Sequence, residues 1–81
     1  MALKLKIVTP EKVEYDGEAT SAFVPGTLGQ FEILDNHAPI ISTLVEGDIK
    51  YTSLAGDESV IHIDAGFVSV HRNEVNVCVE V

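Results

Sequence analysis

One cysteine, no tryptophan, three prolines and five basic residues are all that an 81-residue chain carries of each. The lone Cys78 excludes an internal disulfide and fits a reducing compartment. No apolar run approaches the roughly 20 residues a membrane helix needs. The opening MALKLKIV breaks its apolar residues with Lys4 and Lys6, so it does not read as a signal peptide. Bases are scarcest in the middle, with no Lys or Arg between Val13 and Ile49. Thirteen acids against five bases give a formal net charge of -8. Such a chain repels phosphate backbones, so nucleic acid is not an expected partner. The acidity keeps a small protein soluble, and it also suits a partner with a basic face.

What is present is β-patterned. Composition is 46% hydrophobic and 22% charged, a globular balance. The length suits one domain, residues 1–81, which buries roughly 60 to 65% of its unfolded surface. Leu3, Leu5 and Ile7 alternate with Lys4 and Lys6, and Val75, Val77, Val79 and Val81 alternate with Asn76, Cys78 and Glu80. The apolar period is two, and no window carries the 3.6-residue period of a helix. Turn signals recur at Tyr15-Asp16-Gly17, Val24-Pro25-Gly26, Glu46-Gly47-Asp48, Ala55-Gly56-Asp57-Glu58 and Arg72-Asn73-Glu74. Asp64-Ala65-Gly66 reads as a bend between strands. Many short strands with turns about every ten residues predict a mostly antiparallel sandwich or barrel.

Chemistry is hard to find in the sequence. The six glycines form no Gly-x-Gly-x-x-Gly, and none is followed by Lys. The Gly26–Gly29 segment also lacks a following helix to hold phosphate, so no nucleotide is expected. Three histidines, His37, His62 and His71, are spread along the chain. His62 and Asp64 share a strand face, but a structural zinc site needs about four ligands. No serine sits in a Gly-x-Ser-x-Gly elbow, and Cys78 has no adjacent base to activate it. Asp57 and Glu58 fall in a turn and read as solvated. Catalytic, cofactor and metal residues are therefore expected to be absent.

The stretch GTLGQFEILDNHAPII, Gly26 to Ile41, remains to be explained. The five aromatics are Tyr15, Phe23, Phe31, Phe67 and Tyr51, most of them expected in the core. Phe31 falls in a loop-like segment between Gln30 and Glu32. It reads either as a core plug or as an interface contact.

Three segments carry a resemblance. LKLKIVTPEKVEYDGEATSAFVPGTLGQF opens it, HAPIISTLVEGDI follows, and VIHIDAGFVSVHRNEVNVCVE closes it. Over essentially its whole length the chain resembles the β-sandwich domain of the epsilon subunit of F-type ATP synthase, called delta in mitochondria. The resemblance implies an all-β, two-sheet antiparallel sandwich of about ten short strands. It implies a non-catalytic central-stalk subunit that grips gamma, rests on the c-ring and helps couple ion flow to ATP synthesis. Membrane association would be indirect, through the complex, on the cytoplasmic side of a bacterial inner membrane.

Carried over by position, the c-ring-facing loop is Gly29, Gln30, Phe31, Glu32, Ile33, Leu34, Asp35, Asn36 and His37. The gamma-facing or structural segment is His37, Ala38, Pro39, Ile40, Ile41, Ser42 and Thr43. Glu32 and Asp35 are expected to meet basic groups on the c-ring. Glu32 stands where the family commonly has glycine, and Asp35-Asn36 replaces Pro-Gly; Asn36 can still adopt a left-handed conformation. The family's C-terminal helical hairpin has no counterpart in the sequence, so hairpin inhibition and ATP sensing are not expected of this polypeptide. A competing reading is a free-standing sandwich that binds a ligand or metal through His37, His62 and Asp64.

Overall fold

Strand alternation organises the molecule. The computed structural model describes residues 2–81. Eight strands follow in chain order: β1 Leu3–Val8, β2 Val13–Gly26, β3 Gly29–Leu34, β4 Ile40–Leu44, β5 Gly47–Ser53, β6 Glu58–Ile63, β7 Ala65–His71 and β8 Glu74–Glu80. There is no helix among the described residues, and so none long and apolar enough to cross a membrane.

The strands make a two-layer sandwich. One layer runs β4-β7-β8-β1 and ends on the first half of β2. The other contains β3, the second half of β2, β5 and β6. All pairings are antiparallel except β1 with β8, which run parallel. β2 is common to both layers. Its residues Val13 to Ala19 pair with β1, and Ser21 to Gly26 pair with β3. The register against β5 shifts between Ala19 and Ser21, where an irregularity lets the strand change partners.

Here the structure corrects two predicted turns. Tyr15-Asp16-Gly17 and Val24-Pro25-Gly26 lie inside β2. Gly17 pairs with Leu5, and the Tyr15 ring lies over it, its hydroxyl donating to the Glu18 carbonyl at 2.7 Å. Pro25 pairs with Gln30, and its carbonyl accepts the Val45 N–H at 2.9 Å. Eight strands are found where the resemblance implied about ten. The other predicted turns fall where the sequence puts them, at Glu46, at Ala55-Gly56 and at Arg72-Asn73.

The core is the inward set of each alternation. Leu3, Leu5 and Ile7 are buried while Lys4 and Lys6 face out. Val75, Val77 and Val79 repeat the pattern on β8, and Val24, Ile33, Ile49 and Ile63 close the second layer. Each such side chain contributes about 1.5 to 3 kcal/mol when fully buried. Tyr15, Tyr51 and Phe31 pack at the margin, the two tyrosine rings 4.7 Å apart.

Gly66 is required by close approach. It pairs with both Leu44 and Val79, and a Cβ there would lie 2.5 Å from the Cys78 carbonyl and 2.8 Å from Val79 Cγ1. Backbone on one side cannot yield as a flexible side chain would. Gly66→Ala is therefore expected to lower stability by about 1 to 3 kcal/mol. Urea denaturation should show a lower midpoint at an unchanged slope.

Candidate protein interface

The predicted c-ring-facing loop is mostly strand. Gly29 to Leu34 form β3, paired to β2 in register from Gly26↔Gly29 to Ser21↔Leu34. The sequence signal was present: Gln30, Glu32 and Leu34 are exposed, while Ile33 is buried and Phe31 partly so. Only Asp35, Asn36 and His37 of that segment lie beyond the strand. The nine residues therefore divide between two ends of β3, about 20 Å apart at the usual strand rise.

The first end is the β2–β3 hairpin. Thr27 and Leu28 form its tip, and the Leu28 side chain is fully exposed. Thr27 anchors the tip to β4: its hydroxyl lies 2.6 Å from the Thr43 hydroxyl and 3.0 Å from the Thr43 carbonyl. Phe31 lies just inside this end. A Cβ on Gly26 would sit 2.8 Å from its ring. The ring also reaches toward His37, with centroids 6.3 Å apart. Phe31 is thus a half-buried plug against the core, the first of the two roles its sequence context allowed.

At the second end, the Leu34 carbonyl accepts the His37 N–H at 3.1 Å, closing a turn with Asn36 at φ 66°. Asn36 does adopt the left-handed conformation its sequence allows. The Asp35 carboxylate is half-buried and accepts a hydrogen bond from Asn73 Nδ2. Of the two acids expected to meet a basic partner, Glu32 alone is exposed.

The other layer, β4-β7-β8-β1, has an outer face of its own. Register puts Thr43, Phe67, Cys78 and Val8 in one row across it, and Ile41, Ser69, Asn76 and Lys6 in the next. Ile41 is 80% exposed and Phe67 48%. A groove of about 470 Å³ beside Phe67 is lined by Val8, Pro10, Cys78 and Val79. Within the predicted segment Ala38 to Thr43, Ala38 and Pro39 are exposed ahead of the strand. Ile41 and Thr43 then face outward, whereas Ile40 and Ser42 face the interior. Phe67 and Leu28, both exposed, were not among the contact residues expected from sequence. Phe67 lies on β7 at an outward position of the alternation, and that parity was the available signal.

The histidines do not converge as the competing reading requires. His37 lies beside Phe31, and its Nδ1 is 2.8 Å from the Ala38 carbonyl. His62 instead joins Glu46 and Asp64, whose ligand atoms lie within 4.8 Å of one another and of its own. All three are exposed, and three exposed donors fall short of the four of a structural zinc site. Asp48, opposite His62 across β5 and β6, lies 2.8 Å from Nδ1, and Glu46 lies 3.5 Å from Nε2.

The hydrogen bond to Asp48, aided by Glu46, raises the His62 pKa above its ordinary 6.5. The charged imidazole is therefore favoured in the folded state. Its stabilising contribution is fully present below about pH 6.5 and is lost as pH rises through the folded value. An NMR titration of His62 should give a midpoint above 6.5, and Asp48→Asn should move it back down. An unmoved midpoint in Asp48→Asn would refute the pairing.

Comparison with known proteins fits this architecture. The family described as ATP synthase, Delta/Epsilon chain, beta-sandwich domain, matches residues 2–81. An ATP synthase epsilon chain of Leptospira interrogans is 38% identical over 76 residues, covering 93% of this chain and 58% of that protein. One of Chlorobium limicola is 38% identical over 73 residues, covering 90% of this chain and 83% of that protein. The chain thus spans little more than half of some relatives. In solved structures, a chain of the Euglena gracilis mitochondrial ATP synthase OSCP/F1/c-ring assembly superposes with a TM-score of 0.90 at 15% identity. That match covers 96% of this chain and 50% of the other. A chain of the Tetrahymena thermophila mitochondrial ATP synthase central stalk/c-ring gives 0.82 at 16%, covering 100% and 65%. At those identities the structures speak to fold, and the family rests on the sequence matches. The chain belongs to the ATP synthase delta/epsilon-chain beta-sandwich family.

Proposed function

We propose that this chain is the sandwich domain of a non-catalytic central-stalk subunit, held between gamma and the c-ring of an F-type ATP synthase. It helps couple ion flow through the membrane sector to ATP synthesis. It sits at the cytoplasmic face of a bacterial membrane and reaches that membrane only through the complex. The names of its relatives support the complex, and the solved neighbours are chains of central-stalk and c-ring assemblies.

The observation that carries the reading is the outer face of β4-β7-β8-β1. A half-exposed Phe67 and a largely exposed Ile41 stand on a rigid sheet, beside an apolar groove. Aromatic and branched side chains fixed by a sheet lose little freedom on docking, and such residues dominate binding energies. A standard interface buries about 800 Å² a side. That is about a sixth of the 4873 Å² this chain exposes. We assign this face, with His37 to Thr43 at its edge, to gamma.

The β2–β3 end is assigned to the c-ring. Leu28, Gly29 and Gln30 project there, with Glu32 two residues further along β3. An apolar tip with polar flanks suits the polar loops of a membrane-embedded partner. Torque must cross this contact, so a tip anchored to β4 through Thr27 and Thr43 suits it better than a free loop.

The two contacts separate in binding measurements. Phe67→Ala and Ile41→Ala should each weaken capture by purified gamma by about fivefold or more while leaving the melting temperature almost unchanged. Glu32→Lys should leave gamma binding intact and weaken capture by isolated c-ring at low salt by up to about fivefold, the range of an exposed ion pair. Gamma capture unaffected by both apolar truncations would sink the assignment of that face.

A further inference from the structure

The turn at the second end of β3 is held by a residue that belongs to another strand pair. Arg72 and Asn73 form the two-residue turn between β7 and β8, with φ of 51° and 63°. Positive φ at both central positions is the mark of the turn type whose twist matches a tight hairpin. The Asn73 carbonyl accepts the Lys4 N–H at 2.7 Å, which fastens the turn to β1. Its side chain is then free to serve the other loop. Asn73 Oδ1 accepts the Asn36 N–H at 2.8 Å, and Nδ2 donates to the Asp35 carboxylate. An amide is the side chain that can do both, since it carries one acceptor and one donor group.

The turn it holds needs holding. Asp35 to Pro39 carry no strand pairing between β3 and β4. Asn36 sits at φ 66°, a conformation that costs free energy for any residue with a Cβ. The segment is continuous with the face assigned to gamma. A notch of about 450 Å³ lies between the two loops, lined by Asn36, His37, Pro39, Arg72 and Asn73. Pro39 also borders a second hollow that runs along Ile41 and Ser69.

We propose that Asn73 is a positioning residue for the gamma-facing surface: it clamps the Asp35–His37 turn against the β7–β8 turn, so that two loops form one rim. The clamp has two consequences for what a partner meets. It turns the Asp35 carboxylate inward. It also brings the exposed Arg72, the sole arginine of the chain, into the lining of the same notch as His37. The rim therefore offers a cation on an otherwise acidic molecule, and an acidic group of gamma is the chemistry that fits it. This inference rests on the central-stalk reading for its partner, though not for the clamp itself.

Asn73→Gly removes the side chain while glycine tolerates the left-handed backbone. In this variant the Asn36 amide should exchange with solvent about fivefold or more faster, the loss of roughly one hydrogen bond. Amides of β7 and β8 should keep their protection. Gamma capture should fall about threefold or more, and c-ring capture should not change. Asn73→Asp keeps an acceptor for the Asn36 N–H but sets a second carboxylate against Asp35, and should also weaken gamma capture. The exchanged pair Asp35→Asn with Asn73→Asp restores donor and acceptor with the roles reversed, and should recover both protection and capture.

An unchanged Asn36 exchange rate in Asn73→Gly would overturn the clamp. Recovery of protection without recovery of capture would overturn the positioning role, because Asp35 would then touch gamma directly. If the unaltered chain is not captured by gamma at all, the central-stalk reading fails, and amide exchange still decides the clamp.

Discussion

The sandwich depends on one strand serving two sheets. β2 gives its first half to β1 and its second half to β3 and β5, then ends beside β4 at Gly26↔Leu44. A strand can change partners in this way only if its pairing is interrupted where the sheets diverge. The register shift between Ala19 and Ser21 provides the interruption. Thr20, between them, is left exposed, while Ala19 and Ala22 stay inside. The buried residues at this crossing are both small. The parallel pairing of β1 with β8 follows from the same arrangement. β2 takes one edge of β1, and the other edge is left for the last strand of the chain.

Both candidate contact surfaces inherit their rigidity from that arrangement. The outer face of β4-β7-β8-β1 is the back of a sheet whose inner side is packed with Val68, Val70, Val75, Val77 and Leu5. Its inward residues cannot shift without opening the core, so Ile41 and Phe67 are fixed in place at no cost to their exposure. Gly66 lets β7 come close to β8 beside Phe67. The stiffness here is that of a close-packed interior.

Much of this was legible in the sequence. Period-two alternation located β1, β8 and the hairpins at Ala55-Gly56 and Arg72-Asn73, because there hydrophobic parity and turn chemistry agree. It failed at Gly17 and at Pro25-Gly26. Those residues carry turn signals, yet they serve close packing within β2. A local signal cannot say whether a glycine bends the chain or admits a neighbour's ring, as Gly26 admits Phe31. The candidate site suffered from the same ambiguity. The family resemblance carried Gly29–His37 over as one loop, whereas the alternation of Gln30, Phe31, Glu32 and Ile33 was that of an edge strand. Phe67 was one of five aromatics most of which were expected in the core, although its parity on β7 pointed outward. The Asn73 contacts lie 37 and 38 residues away in sequence, and no local pattern reports a pairing at that distance.

The two ends of β3 solve the problem of a rigid tip by different means, and the difference follows from loop length. The β2–β3 connection is two residues long, so the ladder itself holds it and one threonine pair ties it to β4. The β3–β4 connection is five residues long, spans two layers and contains a left-handed Asn36. No ladder reaches it. Without an added tie its backbone would sample several conformations, and a partner would have to select one on binding, which weakens affinity. A side chain from the β7–β8 turn is well suited to provide that tie, because the turn is itself fixed by β7, by β8 and by the Lys4 N–H. The longer connection thus depends on distant residues for an order that the shorter one has from its own strands.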